Sequence, residues 1–303
     1  MRKQGEEKEK GRSFGYLISV SSAVIFGLMP LLTKTVYQSG ANSYTAAFMR
    51  MLVGTAVFLL LHRLTEKTAL SVNKKELKQL LIFAIGYGTT PILLYTSYNY
   101  LASGLATTLH FVYPVLVVAG SVLCGLAKLT RRKVICCILC MAGIIAFYTP
   151  GGEVSLKGIL IALASGVMCA FYTIYLEASD LLRMEPYKLA FWNHGFGMLI
   201  IGVCALLLRK FCWPGTAGGW TFALLLGLAT AAASFLYQQS EKYIGAQDTA
   251  LLATFEPLTS IIIGYFVYAE PLTGRNIAGI ICILLSVILL STEKAATSHT
   301  NEA

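Results

Sequence analysis

Apolar residues fill the chain in about ten long blocks separated by short polar stretches. The blocks run 14–34, 43–62, 78–98, 104–126, 133–149, 156–177, 186–208, 219–240, 246–268 and 273–291. At about 1.5 Å per residue, some twenty helical residues cross the roughly 30 Å of a bilayer's hydrocarbon. The pattern therefore predicts ten membrane-spanning helices. The 133–149 block is the shortest and requires a thin or tilted setting.

The pattern repeats. A shift of 143 residues carries Leu17 onto Leu160, Ser22 onto Ser165, Ala47-Phe48 onto Ala190-Phe191, Gly54 onto Gly197 and Pro114 onto Pro257, with no gap. Each copy holds five spans, an odd number, so the second copy must lie upside down relative to the first. The predicted fold class is an all-α integral membrane protein with ten transmembrane helices arranged as two inverted five-helix repeats, 14–149 and 156–291. The polar segments 1–13 and 292–303 are expected to be mobile cytoplasmic tails. Inverted repeats are the usual build of secondary transporters.

Composition agrees: 13% of residues are charged and 56% apolar, against about 25% charged in a soluble domain. The formal charge of +9 does not point to nucleic acid, because the basic residues lie in short loops. With both termini cytoplasmic, eighteen Lys and Arg face inward, whereas Lys34, Lys157, Arg209, Lys210 and Arg275 face outward. That asymmetry sets the orientation. The duplicated loop sharpens it, since LAKLTRRK after span 4 is strongly basic and its partner AEPLTGRN keeps only Arg275. A cell membrane, most simply a bacterial inner membrane, is the expected location. The first block reads as a retained span rather than a cleaved signal.

Familiar enzyme chemistry finds no support. The chain has no phosphate-binding GxxxxGK[ST] loop, HExxH, GxSxG or dinucleotide fingerprint. Its eight cysteines include one CxxC, Cys137 to Cys140, but seven of the eight lie in apolar blocks, where cysteine packs as a small hydrophobe. His62, His110, His194 and His299 are too scattered to suggest a metal cluster. No metal and no cofactor are expected.

The polar residues at depth are more informative. Arg50 lies roughly 12 Å into span 2, and Glu256 roughly 15 Å into span 9. A charge at mid-membrane costs at least about 2.5–3.5 kcal/mol unless paired or hydrated, so both are functional candidates. A structural ion pair is the alternative role. Pro114 and Pro257, at equivalent places in spans 4 and 9, remove a backbone donor and free the carbonyls of His110 and Ala253. Kinks are expected there, beside a cavity, with Thr107, Thr108, His110 and Tyr113 before one proline and Thr249, Thr254 and Glu256 before the other. Tyr95, Tyr172, Trp192 and His194 are deep enough to complete the cavity. Tyr98, Asn99 and Gln238 lie near span ends, where interfacial anchoring is expected.

Three stretches carry a resemblance. They are EKYIGAQDTALLATFEPLTSIIIGYFVYAEPLTGRNIAGIICILLSVILL in the second copy, NYLASGLATTLHFVYPVLVVAGSVLCG in the first, and the Phe48-Met49-Arg50 step. Together, in order and duplicated, they resemble the drug/metabolite transporter superfamily, specifically the EamA-type ten-helix bacterial permeases. The resemblance implies alternating access around a central cavity, commonly for export of amino acids or other small metabolites. The chain departs from the pattern in the first copy, where Ala127 replaces the usual glutamate and leaves Glu270 without a counterpart.

The combined reading is a transporter of a small organic solute. Glu256, His110, Tyr113, Tyr95, Tyr172, Trp192, His194 and Arg50 are candidate binding residues, and Pro114 and Pro257 the bending points. The expected partners are the solute, the bilayer and protons as a candidate coupling ion, in a monomer or homodimer. A membrane-embedded ligand sensor or assembly factor that moves nothing is the alternative.

Overall fold

A computed structural model describes the backbone of residues 2–66, 68–123, 130–147 and 155–299. Twelve α-helices follow one another in it: α1 (Arg2–Gly27), α2 (Met29–Gln38), α3 (Ser43–Thr65), α4 (Lys74–Ser97), α5 (Ser103–His110) and α6 (Tyr113–Leu123) in the first copy, then α7 (Arg131–Phe147). The second copy supplies α8 (Leu156–Ala178), α9 (Pro186–Leu207), α10 (Ala217–Leu252), α11 (Phe255–Tyr268) and α12 (Gly274–His299). Six stretches are long and apolar enough to cross a membrane, and Ser103–Val117, Phe255–Tyr268 and Gly274–Leu289 are shorter apolar helices. The protein is an all-α, multi-pass membrane protein.

Its burial pattern is inverted relative to a soluble domain. Leu60, Leu207, Ile145, Phe266 and Ile281 stand more than half exposed on the outside of the bundle, where hydrocarbon is the solvent. Ser22, Thr45, Thr108, Ser165, Thr230, Ser260 and Ser286 are buried. Buried hydroxyls bond across helices: Ser22 Oγ donates to the Ala233 carbonyl at 2.7 Å, and Ser286 Oγ to that of Cys136 at 2.6 Å. Such bonds keep polar groups satisfied in a medium without water.

The duplication governs the packing. α1 packs on α10 as α8 packs on α4, and α3 meets α10 as α9 meets α4. The pairs α3 with α9 and α7 with α12 join each element to its own repeat mate. Exchange of partners between copies is what a twofold relation produces. At the α4–α9 crossing, Gly88 and Gly197 bring the two backbones together, and a Cβ built on Gly88 would stand 3.0 Å from the Gly197 Cα. Gly88→Leu is expected to lower thermal stability in detergent by about 1–3 kcal/mol, the usual cost of overpacking. An unchanged melting temperature contradicts this crossing.

Near Pro114, Pro257 and Pro30 the helices are interrupted rather than only bent, whereas α4 runs through Pro91 without a break. Pro114 falls in the first turn of α6, and between α5 and α6 the Phe111 amide keeps its bond to the Thr107 carbonyl at 2.9 Å while that of Val112 turns to Leu109 at 3.4 Å. The His110 carbonyl that Pro114 frees runs against Gly166 of α8, where a Cβ would come within 3.0 Å of it. Near Pro257 the break falls at Ala253–Thr254, and the Ala253 carbonyl takes the Glu256 amide at 3.0 Å instead. A third break, at Leu28, follows from Pro30 at the start of α2.

Other expectations change as well. The turn expected between spans 8 and 9 is absent, because α10 runs unbroken for 36 residues. Residues 241–248 contain one glycine and no proline, so nothing in the backbone stops the helix there. Helix also runs through much of both polar tails, which are rich in Lys, Glu, Gln and Ala, residues of good helix propensity. Ala127 and Lys128 lie outside the described residues.

On the face with the basic loops, Lys75 Nζ donates to Asp180 Oδ2 at 2.5 Å, tying the start of α4 to the α8–α9 connection. The bond and charge of Lys75 hold the Asp180 carboxyl below the usual aspartate range. Both side chains are exposed, so the pair contributes little stability.

Candidate functional site

The broken helices meet around Arg50. α3 carries it inward, and its Nη1 donates to the Tyr95 hydroxyl at 3.0 Å while its guanidinium lies 5.8 Å from the centre of that ring. Tyr95 is fully buried, and its carbonyl takes the Tyr37 hydroxyl at 2.7 Å. Among the described residues, Arg50 Nε is buried with no hydrogen-bond partner. A guanidinium has five donors in a fixed fork, so one edge of this one is unused.

Around that charge the structure gathers most of the residues expected from sequence. Tyr95, Tyr172, His110, His194 and Glu256 all lie within electrostatic reach of Arg50, as do Tyr87 and Tyr98. His110 Nδ1 stands 2.9 Å from Ser165 Oγ, and its ring is 5.6 Å from that of Tyr113. His194 Nε2 lies 3.2 Å from the Tyr87 hydroxyl, and its Nδ1 stands 2.9 Å from the Ala190 carbonyl. Tyr87 and Tyr172 pack edge to face at 5.4 Å. Arg50 and Glu256 do not form an ion pair, because no oxygen of Glu256 lies within 4.0 Å of the guanidinium.

The repeat adds a second unsatisfied group. Asn193, the 143-residue mate of Arg50, is buried with its Oδ1 unpartnered among the described residues. One copy thus presents a spare donor and the other a spare acceptor, in the two helices that pair with each other at the centre. Buried groups left unpaired in this way cost about 1–3 kcal/mol each.

Trp192 lies at the margin of this group. Its indole Nε1 donates to the Leu70 carbonyl at 3.0 Å and its ring stacks on Phe196 at 5.1 Å, while Tyr87 and Tyr172 pack with it against the cluster of Leu80, Phe83 and Leu181. It anchors the α3–α4 loop. Tyr98 departs in the other direction: it is 6% exposed, lies 3.4 Å from Thr107 Oγ1, and faces the interior rather than the interface. α4 ends beside the start of α5, which folds back across it. Tyr87 and Tyr37 join these residues without being marked by sequence. Tyr87's only sequence signal is its place between two glycines on a helix.

A separate constellation closes the opposite face from the basic loops. α11 ends on Ala269 in the left-handed region, with φ of 50°, and the Glu270 amide returns to the Gly264 carbonyl at 3.0 Å. This turn delivers Glu270 to the start of α5, whose N-cap Ala102 has no capping side chain. The carboxylate accepts from the Ser103 amide and hydroxyl, both at 2.9 Å, from the Gly104 amide at 3.5 Å, and from the Lys34 ammonium. Glu270 thus joins α2, α5 and the α11–α12 turn.

A polytopic bundle of two exchanged repeats, with helices broken around unpaired buried polar groups, defines a membrane transporter. The EamA-like transporter family matches residues 13–149 and again 156–292. The chain belongs to that family. An uncharacterized transporter of Archaeoglobus fulgidus is 26% identical over 91% of this chain and 96% of its own length. The uncharacterized inner membrane transporter YicL of Salmonella typhimurium is 24% identical over 92% and 95%. A crystal structure aligns with a TM-score of 0.65 over 91% of this chain and 96% of that one, at 16% identity, which establishes likeness of fold.

Proposed function

We propose that this transporter moves a small organic solute carrying a carboxylate or similar acceptor across the cell membrane by alternating access, with both termini in the cytoplasm and export as the direction. The observation that carries this reading is the Arg50 guanidinium, buried beside Glu256 without pairing to it and with Nε unpartnered. An anionic group of the solute bonds to Arg50 Nε. Asn193 Oδ1 accepts from a solute donor, and the Glu256 carboxylate receives a solute amine or a proton.

The breaks at Phe111–Val112 and Ala253–Thr254 supply the movement, since a helix interrupted beside a proline, with the Val112 amide turned to the Leu109 carbonyl and the Glu256 amide to that of Ala253, can change angle with little loss of regular bonding. Glu256 sits in the first turn of α11, directly after its break, so its charge state and the angle of α11 are coupled. Glu256→Gln is expected to abolish the pH dependence of solute exchange in proteoliposomes and to reduce its rate roughly tenfold, the loss of one charge-assisted bond. Unchanged rate and pH dependence removes Glu256 from the mechanism.

A further inference from the structure

His62 and Glu66, one turn apart at the end of α3, form a second built cluster on the face with the basic loops. His62 is fully buried. Its Nδ1 stands 2.6 Å from Glu66 Oε2, and its Nε2 stands 3.0 Å from the Thr68 carbonyl. Glu185 joins through a bond from the Thr68 hydroxyl, and one donor atom from each of His62, Glu66 and Glu185 lies within 4.8 Å of the others.

A carboxylate and a backbone carbonyl both accept and cannot donate. A neutral imidazole carries one N–H and one lone pair, so it satisfies one of these oxygens and turns a lone pair towards the other. The imidazolium, with two N–H groups, satisfies both. The 2.6 Å separation holds a proton well but is too short for two ligands of one metal ion. With metal–ligand bonds of about 2.0–2.2 Å, tetrahedral ligands stand roughly 3.3 Å apart. The carboxylate is also already engaged, because Glu66 Oε1 accepts the Tyr187 amide at 2.8 Å and Oε2 the Lys188 amide at 3.0 Å.

Those two amides open α9, whose own N-cap, Glu185, supplies no side-chain cap. Glu66 therefore caps α9 from another helix, and His62 fixes Glu66. We propose that His62 acts as a proton-operated clip: as the imidazolium it locks Glu66 onto the first turn of α9, and on losing a proton it releases that turn. Among the described residues, the titratable groups facing His62 are Glu66 from α3 and Glu185 from the start of α9. Tyr187 stands beyond Glu66, stacked on Phe58 at 6.5 Å and near Gln239 of α10.

Two helical turns after the clip, α9 carries Asn193 and His194 into the site. A protonated clip holds α9 against the end of α3, the closed arrangement of this face, and rising pH frees it. If this face is cytoplasmic, as proposed above, the cell's internal pH sets how easily the carrier opens inward. The clip itself does not depend on that orientation or on what is transported.

Hydrogen exchange of the α9 N-terminal amides in the full-length protein in detergent tests the clip over a series from about pH 6 to about pH 8. After correction for intrinsic base catalysis, protection at Tyr187 and Lys188 is expected to fall with rising pH, by at most about tenfold per unit, the limit for one linked proton. His62→Gln is expected to remove that dependence. Glu66→Gln, which needs no imidazolium beside it, serves equally should the first variant fold poorly. Protection that stays constant in the wild type, or a slope that survives in a folded variant, overturns the proposal. Protection that responds to added zinc or chelator rather than to pH assigns the cluster to a metal and overturns it as well.

Discussion

Replacing Arg50 with glutamine is expected to reduce solute exchange by roughly tenfold to a hundredfold while leaving the protein folded. A hydrogen bond to a charged group contributes about 1.5–3 kcal/mol, and each 1.4 kcal/mol is about a factor of ten in affinity. Arg50 makes one protein hydrogen bond, to Tyr95, and leaves Nε unpartnered in a buried setting. If its role were structural, as one half of an ion pair, its removal would strand Glu256, and stability would fall along with transport. The two residues are not paired, so removing Arg50 strands no carboxylate, and a binding role predicts a large loss of transport with little loss of stability, whereas a structural role predicts the reverse. Measuring the melting temperature and exchange rate of one purified variant separates them. Tyr95→Phe removes the hydroxyl that orients Nη1 and is expected to fall between wild type and Arg50→Gln.

Glu270→Ala is expected to open the face opposite the basic loops. The substitution removes the acceptor for the Ser103 amide and hydroxyl and leaves the partly buried Lys34 ammonium without its partner. Taking one partner from a buried ion pair costs about 3–5 kcal/mol. With side chains 18% and 10% exposed, this pair belongs at the lower end or slightly below. A shift of about 3 kcal/mol changes an equilibrium by roughly two orders of magnitude. A cysteine placed at Ala102 is then expected to label much faster with a membrane-impermeant maleimide in Glu270→Ala than in the otherwise wild-type protein. Glu270→Gln keeps an oxygen for the α5 amides and loses only the charge, so its effect is expected to be smaller. Equal labelling in all three backgrounds removes Glu270 from the closure.

The asymmetry of this latch was visible before its mechanism. Sequence marked Glu270 as a glutamate whose first-copy counterpart is Ala127, but nothing local to AEPLT shows that its carboxylate caps a helix that begins at Ser103. Caps supplied by the same helix are legible from spacing, as with Asn73 and Glu76 at the start of α4. Caps supplied from a distant helix depend on packing that no short window contains. The same applies to Glu66, which caps α9 from across the bundle.

Hydropathy marks where apolar helix runs, and six stretches among the described residues are long and apolar enough to cross a membrane; the duplication indicates the twofold pairing. Breaks were legible where proline occurs in both copies, at Pro114 and Pro257. The break at Leu28 was not, because Pro30 has Thr173 as its repeat mate and symmetry drew no attention to it. Depth along a span sorted the aromatics by position but not by direction. Trp192 is deep and turns away to Leu70, whereas Tyr98 is near a helix end and turns in to Thr107. A span's polar face is set by its neighbours, and a nearly uniform apolar sequence leaves the direction of a single ring undetermined.

Counterflow tests the central claim most directly. Proteoliposomes containing the purified protein are loaded with an unlabelled carboxylate-bearing solute that binds it, then diluted into the same solute carrying a label. Alternating access around Arg50 predicts transient accumulation of label inside vesicles containing wild-type protein and a roughly tenfold or greater reduction with Arg50→Gln. Saturable binding of the solute without any accumulation contradicts transport and makes the site that of a receptor.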